Sequence, residues 1–244
     1  MLAVPRDAAT LILLRDPLPP GGEIEVLLLQ RSAHSSFLPG AHVFPGGAVE
    51  EADFAPQMAG LCRGLGFGQA HRIIPDIRPP EKALGFFVAA IREAFEESGI
   101  FLAGEGNRRS PPPGPPLPGR AGEREEINAD PSLLASRLRV RGLKLATDRL
   151  FYFAHWITPE VLPIRFDARF FVAAVPPGQE ASPDGRETVE AKWIPPREAL
   201  EENARGRLVL APPTFQSLRE LAGFQTVEEA IAATRVKNVQ MHFG

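Results

Sequence analysis

The segment Pro79–Ile100, PPEKALGFFVAAIREAFEESGI, constrains this chain more than any other. Leu84, Phe87, Ile91 and Phe95 recur at spacings of three and four, so on a helix they share one side and demand a packed partner. Proline at the entry and Gly99 at the exit are the expected start and stop signals. The same helix carries Glu93, Glu96 and Glu97 beside Arg92, on a side other than the apolar stripe. Close carboxylates raise one another's pKa unless something positive sits among them. Two readings follow. The acidic side is a solvated surface face, or it holds a hard divalent cation, which takes oxygen ligands and bridges carboxylates to phosphate oxygens. Such an ion polarises a phosphoryl oxygen and acidifies bound water. The second reading therefore points to pyrophosphate hydrolysis.

Strand patterns elsewhere supply the helix with a partner. Ala8–Leu14 and Ile24–Gln30 are apolar runs separated by the turn signal RDPLPPGGE. A short strand at His42–Phe44 lies in a loop punctuated by Pro39, Gly40, Pro45, Gly46 and Gly47. Arg149–Pro159, Arg165–Val175 and Thr188–Pro195 read as further strands. Pro131–Arg141, Pro195–Gly206, Pro212–Gly223 and Thr226–Val236 read as helices, most of them opened by proline or threonine. This mixed order predicts α and β layers around one sheet. Residues 54–80 are irregular, with a short helix expected near Gln57–Arg63. Residues 104–130 contain SPPPGPPLPG and GEREE and read as a surface spacer without a packed element.

A chain of 244 residues can bury a full core. Its net charge of −3 argues against an electrostatic grip on a nucleic-acid polymer but leaves room for a small phosphorylated ligand. Cys62 is the single cysteine, so no internal disulfide forms; this fits a reducing compartment, and the cytoplasm is the expectation. No apolar run approaches the roughly 18 residues of a membrane span, so no membrane partner is expected. AATLILL reads as a strand rather than a secretory signal, and the closing MHFG is not a peroxisomal address.

VFPGGAVEEAD before the helix and REAFEESGI at its end resemble the box of the Nudix hydrolases. That box reads glycine, five residues, glutamate, seven residues, then arginine, glutamate, an aliphatic residue, any residue, two glutamates, any residue, glycine and an aliphatic residue. Gly47 matches the first glycine. Arg92, Glu93, Glu96, Glu97, Gly99 and Ile100 match the second half, with Ala94 in the aliphatic slot. The chain departs from the pattern twice. Asp53 stands in place of the first glutamate, and the spacer Phe54–Ile91 has 38 residues instead of seven. The flanks VLLLQRSAHSSFLPGAHVFPGG, HWITPEVLPIRFDARFF and APPTFQSL are similar to the branch containing the peroxisomal coenzyme A diphosphatases, whose box carries an insertion. The resemblance covers most of the chain outside the inserted segment, about 54–80, and the proline-rich loop.

The resemblance implies one Nudix domain over residues 1–244, an α/β (α+β) fold built as an α/β/α sandwich around a mixed sheet. It implies Mg²⁺ or Mn²⁺ as cofactor and cleavage of a diphosphate in coenzyme A or an acyl-coenzyme A. A dinucleotide or nucleotide sugar is the alternative substrate, and a silent binding module the alternative class. By the same resemblance Gly47 offers its backbone carbonyl to the metal, and Glu96 and Glu97 are core ligands. Glu93 is a further ligand or the base, and Arg92 orients the carboxylates. Glu187, six residues before Trp193, is the loop acid, with Glu190 as its rival. Asp53 is a stand-in for the missing glutamate or a turn residue. Arg31, with Gly46, is assigned to substrate binding, for which a strand-end surface charge at Arg31 is the competing reading. Ser35 and Ser36 occupy the Leu-Arg pair of the coenzyme A pattern, and Leu38 its histidine slot. His34 and His42 lie near the expected site and read as surface or packing residues. The expected partner is a nucleoside diphosphate-linked small molecule and, beyond that, at most a second copy of the chain.

Overall fold

The computed structural model describes residues 3–17, 21–35, 37–105 and 120–243. Strand β1 (Arg6–Arg15) is the axis of the main sheet. It runs parallel to β8 (Phe166–Ala174) in unbroken register from Arg6↔Phe166 to Leu14↔Ala174. Outside β8 lies antiparallel β7 (Phe151–Ile157), and β10 (Met241–Phe243) adds a parallel rim to β7. The other edge of β1 is shared. β4 (Gly46–Ala48) pairs with Ala8–Thr10, and β2 (Glu25–Arg31) pairs with Leu14 and Arg15. β2 in turn pairs antiparallel with β3 (His42–Val43) and β9 (Thr188–Ile194). A separate ladder joins β5 (Ala103–Glu105) to β6 (Leu143–Leu145).

Alternation along the strands builds two cores, because successive side chains of a strand point to opposite faces. On β1, Leu11 and Leu13 enter one core while Ile12 and Leu14 enter the other. Phe171 and Phe170 of β8, and Leu27 and Leu28 of β2, divide in the same way. The first core is covered by α1 (Phe67–Ile73), α2 (Lys82–Ser98), α3 (Arg120–Ala129) and α4 (Leu133–Arg141). The second is covered by α5 (Pro196–Ala204), α6 (Pro212–Leu221) and α7 (Val227–Arg235). The result is the expected α/β/α sandwich around a mixed sheet.

Helix α2 is the one predicted over Pro79–Ile100, and Leu84, Phe87, Ile91 and Phe95 are buried along it as their spacing requires. It stops at Gly99, whose φ of 73° is open to glycine and whose N–H donates to the Phe95 carbonyl at 2.9 Å.

Of the two readings of the acidic side of α2, burial rules out the solvated face: Glu96 and Glu97 are only 5% and 4% exposed. The inserted segment carries the short helix expected near Gln57–Arg63 and is packed. Its short 3-10 helix spans Pro56–Leu61 and α1 follows it; Met58, Leu61, Cys62, Ala70, Ile74 and Ile77 all join the core of α2. The spacer assigned to 104–130 holds packed structure at both ends. Residues 106–119 lie outside the described residues, but β5 reaches Glu105 and α3 begins at Arg120, burying Ile127. Among the described residues no helix is long and apolar enough to cross a membrane.

Cys62 sits in this core, and burial pushes its thiol up to about 12. Only the thiolate attacks a disulfide reagent. Native protein at pH 8 is expected to leave Ellman's reagent unreacted over the time in which urea-unfolded protein releases one equivalent. Rapid stoichiometric reaction of the folded chain would show that this core opens readily.

Candidate active site

The acidic residues of α2 meet β4 and the 3-10 turn Glu51–Phe54 around one buried cation. Arg92 is 2% exposed. Its Nε and Nη2 each donate to Asp53 at 2.9 Å, a bidentate pair. Its Nη1 donates to Glu93 at 2.7 Å and to Glu96 at 3.2 Å, and Nη2 also reaches the Ala48 carbonyl at 2.8 Å. Burial opposes the charged form of Arg92, but Asp53, Glu93 and Glu96 together carry its pKa upward. Asp53 is itself buried and accepts the Glu50 N–H at 2.9 Å. The open question about Asp53 is thereby answered: it is the anchor of Arg92, not an idle turn residue.

One arginine does not neutralise this many acids. Burial lifts the Glu96 carboxyl to about 7 despite the Arg92 charge, and the Glu93 charge adds to the shift. Glu93 is raised by burial against the pull of Arg92, with the Glu187 charge adding to it. Glu97 is raised well above the ordinary range by burial and by the charge of Glu93; it accepts the Gly46 N–H at 3.0 Å, and the Arg31 charge partly offsets the shift. Glu93, Glu96, Glu97 and Glu187 thus share one field. Glu187 is exposed on the loop before β9, which the Asp184 carboxylate holds by accepting the N–H groups of Arg186, Glu187 and Thr188 at 3.2, 3.2 and 2.8 Å.

The donor set fits a hard divalent cation. It consists of oxygens only, in negative excess, in a pocket of low dielectric. At Gly47 an added Cβ would lie 2.6 Å from the Glu93 carboxylate, so backbone and carboxylate approach at a distance no other residue allows. Among the described residues no three acidic, histidine or cysteine side chains converge on one point. Glu93 and Glu96 are turned to Arg92, and Glu97 to Gly46.

The remaining expected residues divide. Arg31 Nε donates to the Phe37 carbonyl at 2.9 Å while its charge reaches Glu97, so it borders the acidic turn. Gly46 is committed on both sides. Its N–H serves Glu97, and a Cβ there would lie 2.6 Å from the Ala9 carbonyl of β1. Glu190 pairs with Gln30 within the sheet, apart from the loop of Glu187. His34 is exposed, whereas His42 is buried in β3. Ser35 lies in the turn after β2, Leu38 adopts a φ of 48°, and Ser36 lies outside the described residues.

Asp184, Thr188 and Arg124 also shape the site and were not read from the sequence. The Thr188 hydroxyl donates to the Glu97 carbonyl at 3.3 Å, and Arg124 donates to the Glu96 carbonyl. Aspartate four residues before threonine in a glycine-containing turn was a legible loop signal for the first two. Arg124 gave none, lying next to a proline run.

Comparison with known proteins matches the NUDT19 Nudix domain to residues 5–83 and 63–221 of the chain. The acyl-coenzyme A diphosphatase NUDT19 of Homo sapiens is 34% identical over 243 residues, covering 86% of this chain and 64% of that protein. The protein of the same name from Gallus gallus is 32% identical, covering 92% and 70%. The chain therefore spans just under two thirds of the human relative's length. The crystal structure of a Nudix hydrolase from Alicyclobacillus acidocaldarius superposes with a TM-score of 0.81 at 28% identity, covering 98% of this chain and all of that one.

Removing one partner of a buried ion pair strands the other charge. Asp53→Ala is expected to lower the unfolding free energy by about 3 kcal/mol in urea titrations; a loss near zero would deny Arg92 its role as a buried anchor. A second expectation concerns His42, whose pKa is lowered by burial, with Lys192 lowering it further and Glu190 and a hydrogen bond to the Val209 backbone opposing. Below its unfolded value of 6.5 the unfolded chain binds a proton that the folded chain refuses, so stability falls as pH drops through that value. The urea midpoint of the wild type should fall more between pH 7.5 and 5.5 than that of His42→Gln. Equal slopes would exclude His42 as the source.

Proposed function

The chain belongs to the Nudix hydrolases, in the family of the NUDT19 Nudix domain, and from that premise we propose that it is a metal-dependent pyrophosphohydrolase. Its substrate is coenzyme A or an acyl-coenzyme A, and its products are adenosine 3′,5′-bisphosphate and the (acyl-)phosphopantetheine. In this reading the whole chain forms one Nudix domain with an insertion. The observation that carries the reading is the excess of buried carboxylate around Arg92 beside the bare backbone of Gly47. The name of the human and chicken relatives supports the choice of substrate.

Glu96, Glu97 and the Gly47 carbonyl would hold Mg²⁺ or Mn²⁺, with Glu93 as a further ligand. Such an ion, when bound, neutralises charge on the diphosphate and acidifies water. The chain's own part is orientation and proton handling. Arg92 fixes Glu93 and Glu96 from behind through Nη1 while Asp53 fixes Arg92. Glu187, exposed and electrostatically linked to Glu93 and Glu97, would take the proton of the attacking water, with Glu93 as the inner acid. Water adds to one phosphorus, the bridging oxygen leaves with the other phosphate, and the abstracted proton passes to solvent. Arg31, beside Glu97, supplies a positive edge for phosphate oxygens. Gly46 contributes as the close-packed strand residue that presents its N–H to Glu97.

Two experiments test this. Purified protein with Mg²⁺ or Mn²⁺ is offered coenzyme A, acyl-coenzyme A, dinucleotides and nucleotide sugars, with products identified by mass. Cleavage of coenzyme A thioesters to the two phosphorylated halves is expected; turnover restricted to the other classes would transfer the same site to a different substrate. Glu96→Gln and Glu97→Gln are expected to abolish hydrolysis with the circular dichroism spectrum unchanged, and Glu187→Gln to lower kcat by about 10²–10⁴. Full activity in Glu97→Gln would move the metal off this helix.

A further inference from the structure

The turn bearing Glu96 and Glu97 is the last turn of α2, where carbonyls have no partner inside the helix. Three of them are taken by distant chain. The Thr188 hydroxyl donates to the Glu97 carbonyl at 3.3 Å, and the Ser182 N–H donates to the Ser98 carbonyl at 2.8 Å. The Glu96 carbonyl accepts twice from Arg124 of α3, from Nη2 at 2.9 Å and Nε at 3.3 Å. The same Nη2 donates to the Ser182 carbonyl at 3.1 Å. One guanidinium thus spans from the glutamate turn to the start of the loop that carries Glu187.

Several features favour this bridge. A cation complements the negative end of the α2 dipole. Gly99 makes room for it, since a Cβ there would lie 3.3 Å from Arg124 Nη1. The loop it grips is internally fixed by Asp184, so gripping Ser182 moves Glu187 as part of one body. Between α3 and this loop, beside Glu96, lies a cavity of about 200 Å³ that Arg124, Asn128 and Arg186 also line. Arg124 is therefore in the wall of the space next to the acidic turn, not in a remote corner of the surface.

We propose that Arg124 is a positioning residue of the hydrolytic site, setting the separation between the Glu96–Glu97 turn and the Glu187 loop. The proposal rests on the roles given to those glutamates above. Arg124 acts through the carbonyls it holds. Lysine offers one nitrogen where Arg124 uses two: it can replace the bonds of Nη2 but not the second bond from Nε, and it lacks the planar fork that fixes their direction.

The test uses Arg124→Ala, Arg124→Lys and, as a separate perturbation of α3, Arg141→Gln. The last breaks the 2.6 Å pair of Arg141 with Glu123 while leaving the carbonyl bridge. Mn²⁺ affinity is measured by electron paramagnetic resonance without substrate, and kcat and KM on whichever diphosphate the wild type cleaves. Arg124→Ala should weaken Mn²⁺ binding and lower kcat by about tenfold or more, the range found for residues that orient metal ligands, with KM within about twofold. Arg124→Lys should recover part of both, and Arg141→Gln should match the wild type. Wild-type Mn²⁺ affinity and kcat in both Arg124 variants would overturn the proposal, as would an equal loss in Arg141→Gln, which would assign the effect to docking of α3. Arg124→Lys decides the matter if Arg124→Ala fails to fold. Failure of the wild type to cleave coenzyme A would sink the substrate assignment alone, because the Mn²⁺ comparison is made without substrate.

Discussion

A guanidinium buried among acids is the interaction on which this structure depends. A buried cation is tolerable only where several acceptors surround it, and buried acids only where a cation answers them. Arg92 meets both demands with a planar fork of donors that lysine lacks. It joins Asp53 of the 3-10 turn, the Ala48 carbonyl of β4, and Glu93 and Glu96 of its own helix. Helix, strand and turn are thereby fixed relative to one another by charge as well as by packing. The same bond explains how a box can be split by so long an insertion. Asp53 is locked against Arg92 before the chain departs, so residues 54–80 can lengthen without disturbing the ends they connect. The insertion then adds its own apolar residues to the core of α2.

Arg92 leaves the site short of positive charge, and this imbalance is its chemical character. Glu97 has a backbone N–H and the more distant Arg31 for compensation, while Glu187 adds charge from the loop. A fold that only needed stability would replace such groups with apolar ones. Keeping carboxylates buried and mutually repelling is the usual mark of a functional site, where local destabilisation is carried by the rest of the structure. The sandwich is suited to carry it, with α2 buried along nearly its whole length between the sheet and its neighbours.

How far the sequence could be read differs by element. The strands around Leu11, Leu28 and Phe171 were legible because apolar β-prone residues run between clear turn signals, and α2 because its apolar period is long and its exit is glycine. The 3-10 turn at Glu51–Phe54, α1 and β10 were not: short elements carry too few residues for a period to show, and their stability comes from contacts the sequence does not display. α3 was misread because a proline run beside it dominates the composition of its neighbourhood. Its burial depends on Ile127 meeting α4 and α2, which is a tertiary fact.

By itself the sequence determined the layered α/β class, the central helix and the identity of the acids and arginine on it, since periodicity and box spacing are local properties of the chain. It left open whether those acids face solvent, what Asp53 does, and which of Glu187 and Glu190 stands near them. Only the tertiary structure decided these. Burial of Glu96 and Glu97 needs β4 and α3 laid over the helix, and the Asp53–Arg92 bond joins residues 39 apart in the chain. Glu187 and Glu190 are separated by where the loop ends and β9 begins to pair with β2. Charge proximity across such distances is a property of how surfaces meet, and no local pattern encodes it.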